Sequence, residues 1–345
     1  MKYLFFLLFL LVKLSLFSQP IYDDSTTYCI AFYNVENLFD TEKDSIGNDG
    51  AFTPSGSYRW TKGRYIKKVN NIAKVFLAIH GWNPPDIIGL AEVENEKVLK
   101  QLCYYSPLKK YDYHYVHYDS PEPRGIDVAL LYRADKIKIT ESFPIPIIFP
   151  FEPQSKNRDI LYVKALIEND ITLHLFVNHW TSRYGGHAAT IPKRNYYATV
   201  LRQFVDSLLN IDENANIIIM GDFNDYPTDE SISEILGAAN MAKPGTHQIY
   251  NLMYSYLQSN KGTHKNEAFW GCLDQFMVNS NLLAEKGTCY ILDNTAYIFD
   301  VDFLLIPDEK YGGVKNFRTY LGFRYQGGYS DHLPIYMFVK KRSNK

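Results

Sequence analysis

Apolar residues fall along this chain in runs of two kinds. Nine short runs, at 28–33, 86–90, 111–118, 126–132, 160–167, 171–177, 216–220, 273–278 and 334–339, are alternating or wholly apolar and rich in β-branched and aromatic side chains. Such runs predict strands. Two longer stretches carry a helical stripe instead. From 65 to 80 the apolar side chains are Ile66, Val69, Ile72, Ala73, Phe76 and Ile79, with Lys67, Lys68, Asn71 and Lys74 off the stripe. From 193 to 209 the inward set is Tyr197, Val200, Leu201, Phe204 and Leu208, and Pro192 is expected at the helix start,. Many strands with few helices between them predict an α/β layered sandwich rather than a strictly alternating parallel sheet. No linker, repeat or charge block divides the chain, so a single domain is expected over 19–345.

The N-terminus changes that picture. Lys2 precedes an apolar run broken only by Lys13, and a small-residue site lies near Ser18. The run is short for a membrane span and a polar segment follows it. It reads as a signal peptide over 1–18, with an uncleaved anchor as the alternative, and places the protein outside the cytoplasm, secreted or periplasmic. The formal charge of -2 shifts to about −4 once Lys2 and Lys13 are removed, so no global attraction for a polyanion exists. At 46% hydrophobic and 21% charged residues, disorder and fibrous repeats are excluded. Cys29, Cys103, Cys272 and Cys289 match no zinc ribbon; disulfides and buried thiols both fit them.

Candidate chemistry gathers where the predicted strands end. The first runs into Asn34, the second into Glu92, the sixth into His179 and the seventh into Asp222 and Asn224, while Asp331 and His332 precede the last. Any one of these could be a cap or a turn former. Together they offer what a hard-cation hydrolytic site needs: oxygen ligands, a base and a group that stabilises an oxyanion. Asp225 is expected to cap a turn. Glu36 and Asp40 fit either a second metal or a loop role, and His114 and His117 are expected as strand residues.

The segments FYNVENLFD, GLAEVEN, NHW, GDFND, LDQFMV and SDHLP, in this order from Ala31 to Val339, resemble the endonuclease/exonuclease/phosphatase superfamily of metal-dependent phosphoesterases related to DNase I. The resemblance implies a four-layer sandwich, two mixed β-sheets face to face with helices outside. It implies a divalent cation, Mg²⁺ first with Mn²⁺ and Ca²⁺ as alternatives, on Glu92 with Asn34 and Asp331 nearby. It further implies that Asp222 orients or deprotonates the attacking water, that Asn224 faces a phosphate oxygen, and that Asp274 orients His332 at the scissile phosphate. His179 would serve as the leaving-group acid, with Asp127 as its partner. Arg183 and, more weakly, Arg158 are expected phosphate contacts. The acid-free stretch 50–85, with Arg59, Lys62, Arg64, Lys67, Lys68 and Lys74 among Tyr58, Trp60 and Tyr65, could bind and stack nucleic acid or be a solvated helix face. The expected activity is therefore a monomeric nuclease on DNA or RNA. A phosphoesterase acting on a phosphoinositide, phospholipid or small phosphoester is the alternative, and the segment 145–151 fits either its membrane-contacting tip or a proline-punctuated core segment. A non-enzymatic binding module is the third reading.

Overall fold

The structure is a computed structural model that describes residues 25–44, 47–81, 83–240, 248–283 and 287–342. The signal peptide expected over 1–18 lies outside the described residues. Two seven-stranded sheets dominate. The first contains β1 (Thr27–Leu38), β2 (Ile87–Val93), β3 (Tyr113–His117), β4 (Asp127–Arg133), β14 (Cys289–Ile291), β15 (Tyr297–Ile298) and β20 (Ile335–Lys341), in the order β14-β20-β1-β2-β4-β3 with β15 also on β20. The second contains β5 (Ile137–Ile145), β6 (Ile160–Ile167), β7 (Ile171–His179), β8 (Asn216–Asp222), β9 (Ala238–Ala239), β10 (Ile249–Asn251) and β13 (Asp274–Asn279), in the order β5-β6-β7-β8-β13-β10-β9. Both are mixed: β1/β2 and β7/β8 run parallel inside otherwise mostly antiparallel ladders.

Alternation along the second sheet explains the layering. Leu161, Val163, Ile218, Met220, Phe276 and Val278 point into a core shared with the first sheet. Their neighbours Ile160, Tyr162, Ile217, Ile219 and Met277 point the other way, into a second core beneath α3 (His187–Ile211). A period of two is what lets one strand serve both faces. Helices α1 (Lys62–Ile79) and α2 (Glu96–Tyr104) accompany the first sheet. The sheets approach closely at Gly89, where a Cβ would meet Met220 Sδ at 2.6 Å. Three short hairpins, β11/β12 (His264–Asn266, Phe269–Gly271), β16/β17 (Leu305–Pro307, Val314–Asn316) and β18/β19 (Tyr320–Leu321, Arg324–Tyr325), complete the strand set. The fold is the mixed α/β sandwich expected.

Several local expectations are corrected. Pro192 lies inside α3, not at its start, because the helix begins at His187. The hydroxyl of Thr190 donates to the carbonyls of Gly186 and His187, binding the first turn together ahead of the proline. The polar α2, capped by the Asn95 side chain on the amides of Lys97 and Val98, carries too short a stripe to announce itself. In 145–151, Ile145, Ile147 and Phe149 are buried in the α3 core while Ile148 and Phe151 are exposed. The segment is thus a core edge rather than a free hydrophobic tip. No helix among the described residues is long and apolar enough to cross a membrane. All four cysteines are buried free thiols.

Candidate active site

Strand register brings the chemistry together. In the second sheet His179 lies opposite Asp222, and Asp222 opposite Asp274, so three polar groups form one row across β7, β8 and β13. In the first sheet Asn34 lies opposite Ala91, one residue before Glu92. A bulge interrupts the β2/β4 ladder at Glu92, and the residue has φ +66°. Bulges re-aim side chains, and a left-handed non-glycine costs on the order of 1–3 kcal/mol unless its surroundings fix it. Here the Asn37 amide donates to Glu92 Oε2 at 2.8 Å, which leaves Oε1 facing the cleft. Asn224, at φ +52°, is held the same way: its amide donates to Asp222 Oδ1 at 3.0 Å, and its Nδ2 to the Trp180 carbonyl at 3.1 Å.

Two bonds join the sheets at the site, the first of them Asn34 Nδ2 to Asp222 Oδ2 at 3.1 Å. His332, just ahead of β20, enters from the first sheet. Its Nδ1 pairs with Asp274 Oδ2 at 2.7 Å, and its Nε2 lies 3.8 Å from Asp222 Oδ2. Ser330 fixes this loop by donating to the Asn34 carbonyl at 2.7 Å and accepting from the His332 amide. Burial opposes a charge on His332, but the carboxylates of Asp274 and Asp222 outweigh it and hold the imidazole well above its usual range,. His179 is the opposite case. Burial, reinforced by Arg158 and Arg124, drives it well below the ordinary imidazole value. Its Nε2 lies 3.7 Å from Asp222 and 3.9 Å from Glu92, and its Nδ1 is buried without a partner. The stored proton therefore sits on His332, and His179 is a neutral ring. Asp222 is raised to about 6, chiefly by burial and against the pull of His332.

Asp127 is corrected as the partner of His179. It bonds the amide and hydroxyl of Ser120 and faces His117; the β4 register carries it to the far side of the bulge, opposite Val93. Arg158 and Arg183 do line the cleft, but as braces. Arg158 donates to the carbonyls of His179 and Trp180 at 2.9 and 3.0 Å and pairs with Glu122. Arg183 donates to the Asn224 carbonyl at 2.6 Å, pairs with Asp229 at 2.7 Å and stacks on Tyr226. The basic stretch 50–85 lines none of this cleft. Trp60 and Lys68 are fully buried, and Arg64 and Lys74 lie over Tyr325 and Phe303.

The cleft itself holds about 930 Å³ and is lined by Glu92, His179, Asp222, Asn224, Asp331 and His332. Of its further wall residues, Glu122, Arg124 and Lys156 come from loops, Lys193 from α3 and His264 from β11, none of them in a motif. His264 is the clearest of those missed: it forms a bridge with His332, their rings lie 4.9 Å apart, and burial pushes it down to about 4. Arg318 is another, binding both Asp331 at 2.7 Å and Glu36 at 3.2 Å. Glu36 thus has a structural place: buried with Lys68, it accepts from the Thr319 amide, and burial raises it to about 7.

Glu92 Oε1 and Asp222 Oδ2 each approach His179 Nε2, at 3.9 and 3.7 Å, and carboxylate oxygens are the ligands a hard divalent cation takes. Asn34 turns its nitrogen to Asp222 and its oxygen to the Glu36 amide, and Asp331 is engaged by Arg318. The donor set therefore fits a cation held mainly by carboxylates, with Asn34 beside it.

The model of the Endonuclease/Exonuclease/phosphatase family matches residues 29–341. No curated protein matches this chain in sequence. Among solved structures, an endonuclease/exonuclease/phosphatase family protein from Bacteroides thetaiotaomicron superposes with TM-score 0.56 at 16% identity, covering 92% of this chain and 99% of that one. A mannosyl-6-phosphatase from the same organism gives TM-score 0.53 at 17% identity, covering 90% and 99%. D. rerio TDP2, complexed with a single-strand DNA product, gives 0.53 at 17%, covering 92% and 100%. These likenesses concern the fold. With a family match that runs from β1 into β20 and phosphoesterase-type chemistry at the strand ends, the chain belongs to the endonuclease/exonuclease/phosphatase family.

Proposed function

We propose that the protein is an exported, monomeric, divalent-cation-dependent phosphodiesterase acting on nucleic-acid strands. The observation that carries this reading is the placement of two histidines among carboxylates in one cleft: His332 Nδ1 on Asp274 at 2.7 Å, and His179 Nε2 at 3.7 Å from Asp222 and 3.9 Å from Glu92. In-line attack of water on a phosphodiester needs a group to receive the water's proton, a positive group on the phosphoryl oxygens and a proton for the leaving oxygen. Asp222, kept at about 6 by burial, receives the first proton. His332 donates to a phosphoryl oxygen, and Asn224 offers a neutral amide where a carboxylate would be repelled. A cation on Glu92 would polarise the phosphoryl oxygen, with Mg²⁺ the first choice. His179 hydrogen-bonds the leaving oxygen, and proton return passes from His332 or bulk water. Arg124 and Lys156 at the rim, together with the fully exposed Tyr184, suit a strand that needs cations and a stacking face,.

A small phosphomonoester is the second reading. It is favoured by the internal pairing of Arg158 with Glu122, Arg183 with Asp229 and Lys193 with Glu152, which leaves little free charge for a long polyanion.

Purified protein lacking 1–18 should nick plasmid DNA or cut RNA with Mg²⁺, and EDTA should abolish the activity. Turnover of phosphosugars or lipid headgroups with nucleic acid left intact would select the second reading. Inertness toward every phosphoester, whatever the metal, would leave a binding module.

A further inference from the structure

Asp127, absent from the catalytic pair, faces a different partner. His117 closes β3 and lies opposite Ala129 of β4. Side chains two apart share a face, so His117 and Asp119 stand on the same side as Asp127. The His117 side chain is 2% exposed, its Nε2 lies 3.6 Å from Asp127 Oδ2, and its Nδ1 lies 3.9 Å from Asp119 Oδ1. Neither distance is a hydrogen bond, and the buried Nε2 has no partner. Asp127 spends Oδ1 on Ser120, leaving Oδ2 turned to the ring. One ligand atom from each of the three residues lies within 4.8 Å of the others.

The Nε2–Asp127 spacing suits an ion between those two side chains, with the exposed Asp119 carboxylate near enough to turn onto it. Two ligand bonds of about 2.0–2.2 Å meeting near the tetrahedral angle end about 3.4 Å apart, close to the His117–Asp127 separation. The approach is open. Asp119 and Asp127 line a basin of about 670 Å³ together with Asp44, Asp49, Glu94 and Glu122, against the single cations Arg124 and Lys156. Such a field concentrates cations.

We propose that His117 Nε2, Asp127 Oδ2 and the Asp119 carboxylate form a second metal site, separate from the catalytic cleft, for a first-row transition cation with Zn²⁺ as first choice. An imidazole among the donors selects against Mg²⁺ and Ca²⁺, which take oxygen ligands. The loop between Asp119 and Asp127 carries Glu122 and Arg124, both in the cleft wall. Glu122 in turn holds Arg158, which grips the His179 carbonyl. An ion here fastens that loop where it borders the cleft.

The experiment reads binding rather than turnover, in tag-free Glu92→Ala protein, so that it stands apart from the catalytic reading. Dialysis against Zn²⁺ or Co²⁺ should leave one tightly held equivalent, with Co²⁺ giving the visible absorption of a low-coordinate site. Adding His117→Gln should remove it. Adding the exposed Asp119→Asn should weaken it by at least the about tenfold that even an outer-shell partner is worth, with the metal-free melting curve unchanged. The Asp119 variant keeps the test valid if His117→Gln fails to fold. No retained equivalent, or one indifferent to both substitutions, overturns the site.

Discussion

His332→Ala is expected to lower kcat by at least about 10²-fold, the scale of lost acid–base and electrostatic assistance, with KM little changed and some loss of melting temperature from the buried Asp274 left without its partner,. The side chain enters the cleft from a loop anchored independently by Ser330 on the Asn34 carbonyl, so truncation leaves the loop in place. Deleting the ring also strands Asp274 and removes the cation nearest Asp222, which burial already lifts to about 6. Asp222 then becomes harder to ionise, a loss in the same direction. Asp274→Asn keeps the ring but not the charge that stabilises its cation, and is expected to fall between wild type and His332→Ala. Steady-state kinetics on a minimal phosphodiester measure both. Wild-type kcat in His332→Ala would remove the ring from the mechanism.

Lys68→Met is expected to destabilise the fold by about 3–5 kcal/mol, the cost of removing one partner from a buried ion pair, and to lower the melting temperature by roughly 10 °C. Lys68 is wholly buried in α1, within 3.9 Å of Glu36, and it donates to the Thr319 hydroxyl and the Tyr329 carbonyl. Without it Glu36 keeps Arg318 and the Thr319 amide but loses the charge nearest its Oε2, and the Thr319 hydroxyl and Tyr329 carbonyl keep only their long mutual bond at 3.4 Å. Burial pushes Lys68 down and Glu36 up, and each charge pulls the other back toward its ionised form. The double variant Lys68→Met/Glu36→Gln should recover most of the loss. Thermal melts of the three proteins decide it, and a single variant within about 2 °C of wild type would show that the pair contributes little.

The sandwich was legible because its signals are local. Alternation along 160–167 and 171–177, and the stripe from Ile66 to Ile79, report burial directly. The polar clusters at Asn34, Glu92, His179, Asp222 and His332 were legible because each adjoins such a run. Partnership was not legible. Asp274 and His332 meet through the β8/β13 register and a loop from the other sheet, whereas Asp127, equally close to a predicted strand end, is carried away by the bulge at Glu92. The same holds for charge. The run of cations from Arg59 to Lys74 looked like a surface until tertiary packing turned Lys68 inward and laid Arg64 and Lys74 on aromatic rings. His264 opens the three-residue strand β11, too short to show a period, and Arg318 lies in an irregular segment.

The site belongs to neither sheet. Glu92, Asn34 and His332 ride on one, and His179, Asp222 and Asp274 on the other, with the Asn34–Asp222 and His332–Asp274 bonds between them. The reaction centre therefore works as a vernier for the alignment of the two layers. A sideways slip too small to breach the core would part the halves, so damage to inter-sheet packing at a distant contact such as Gly89 on Met220 would silence the protein well before it unfolds it.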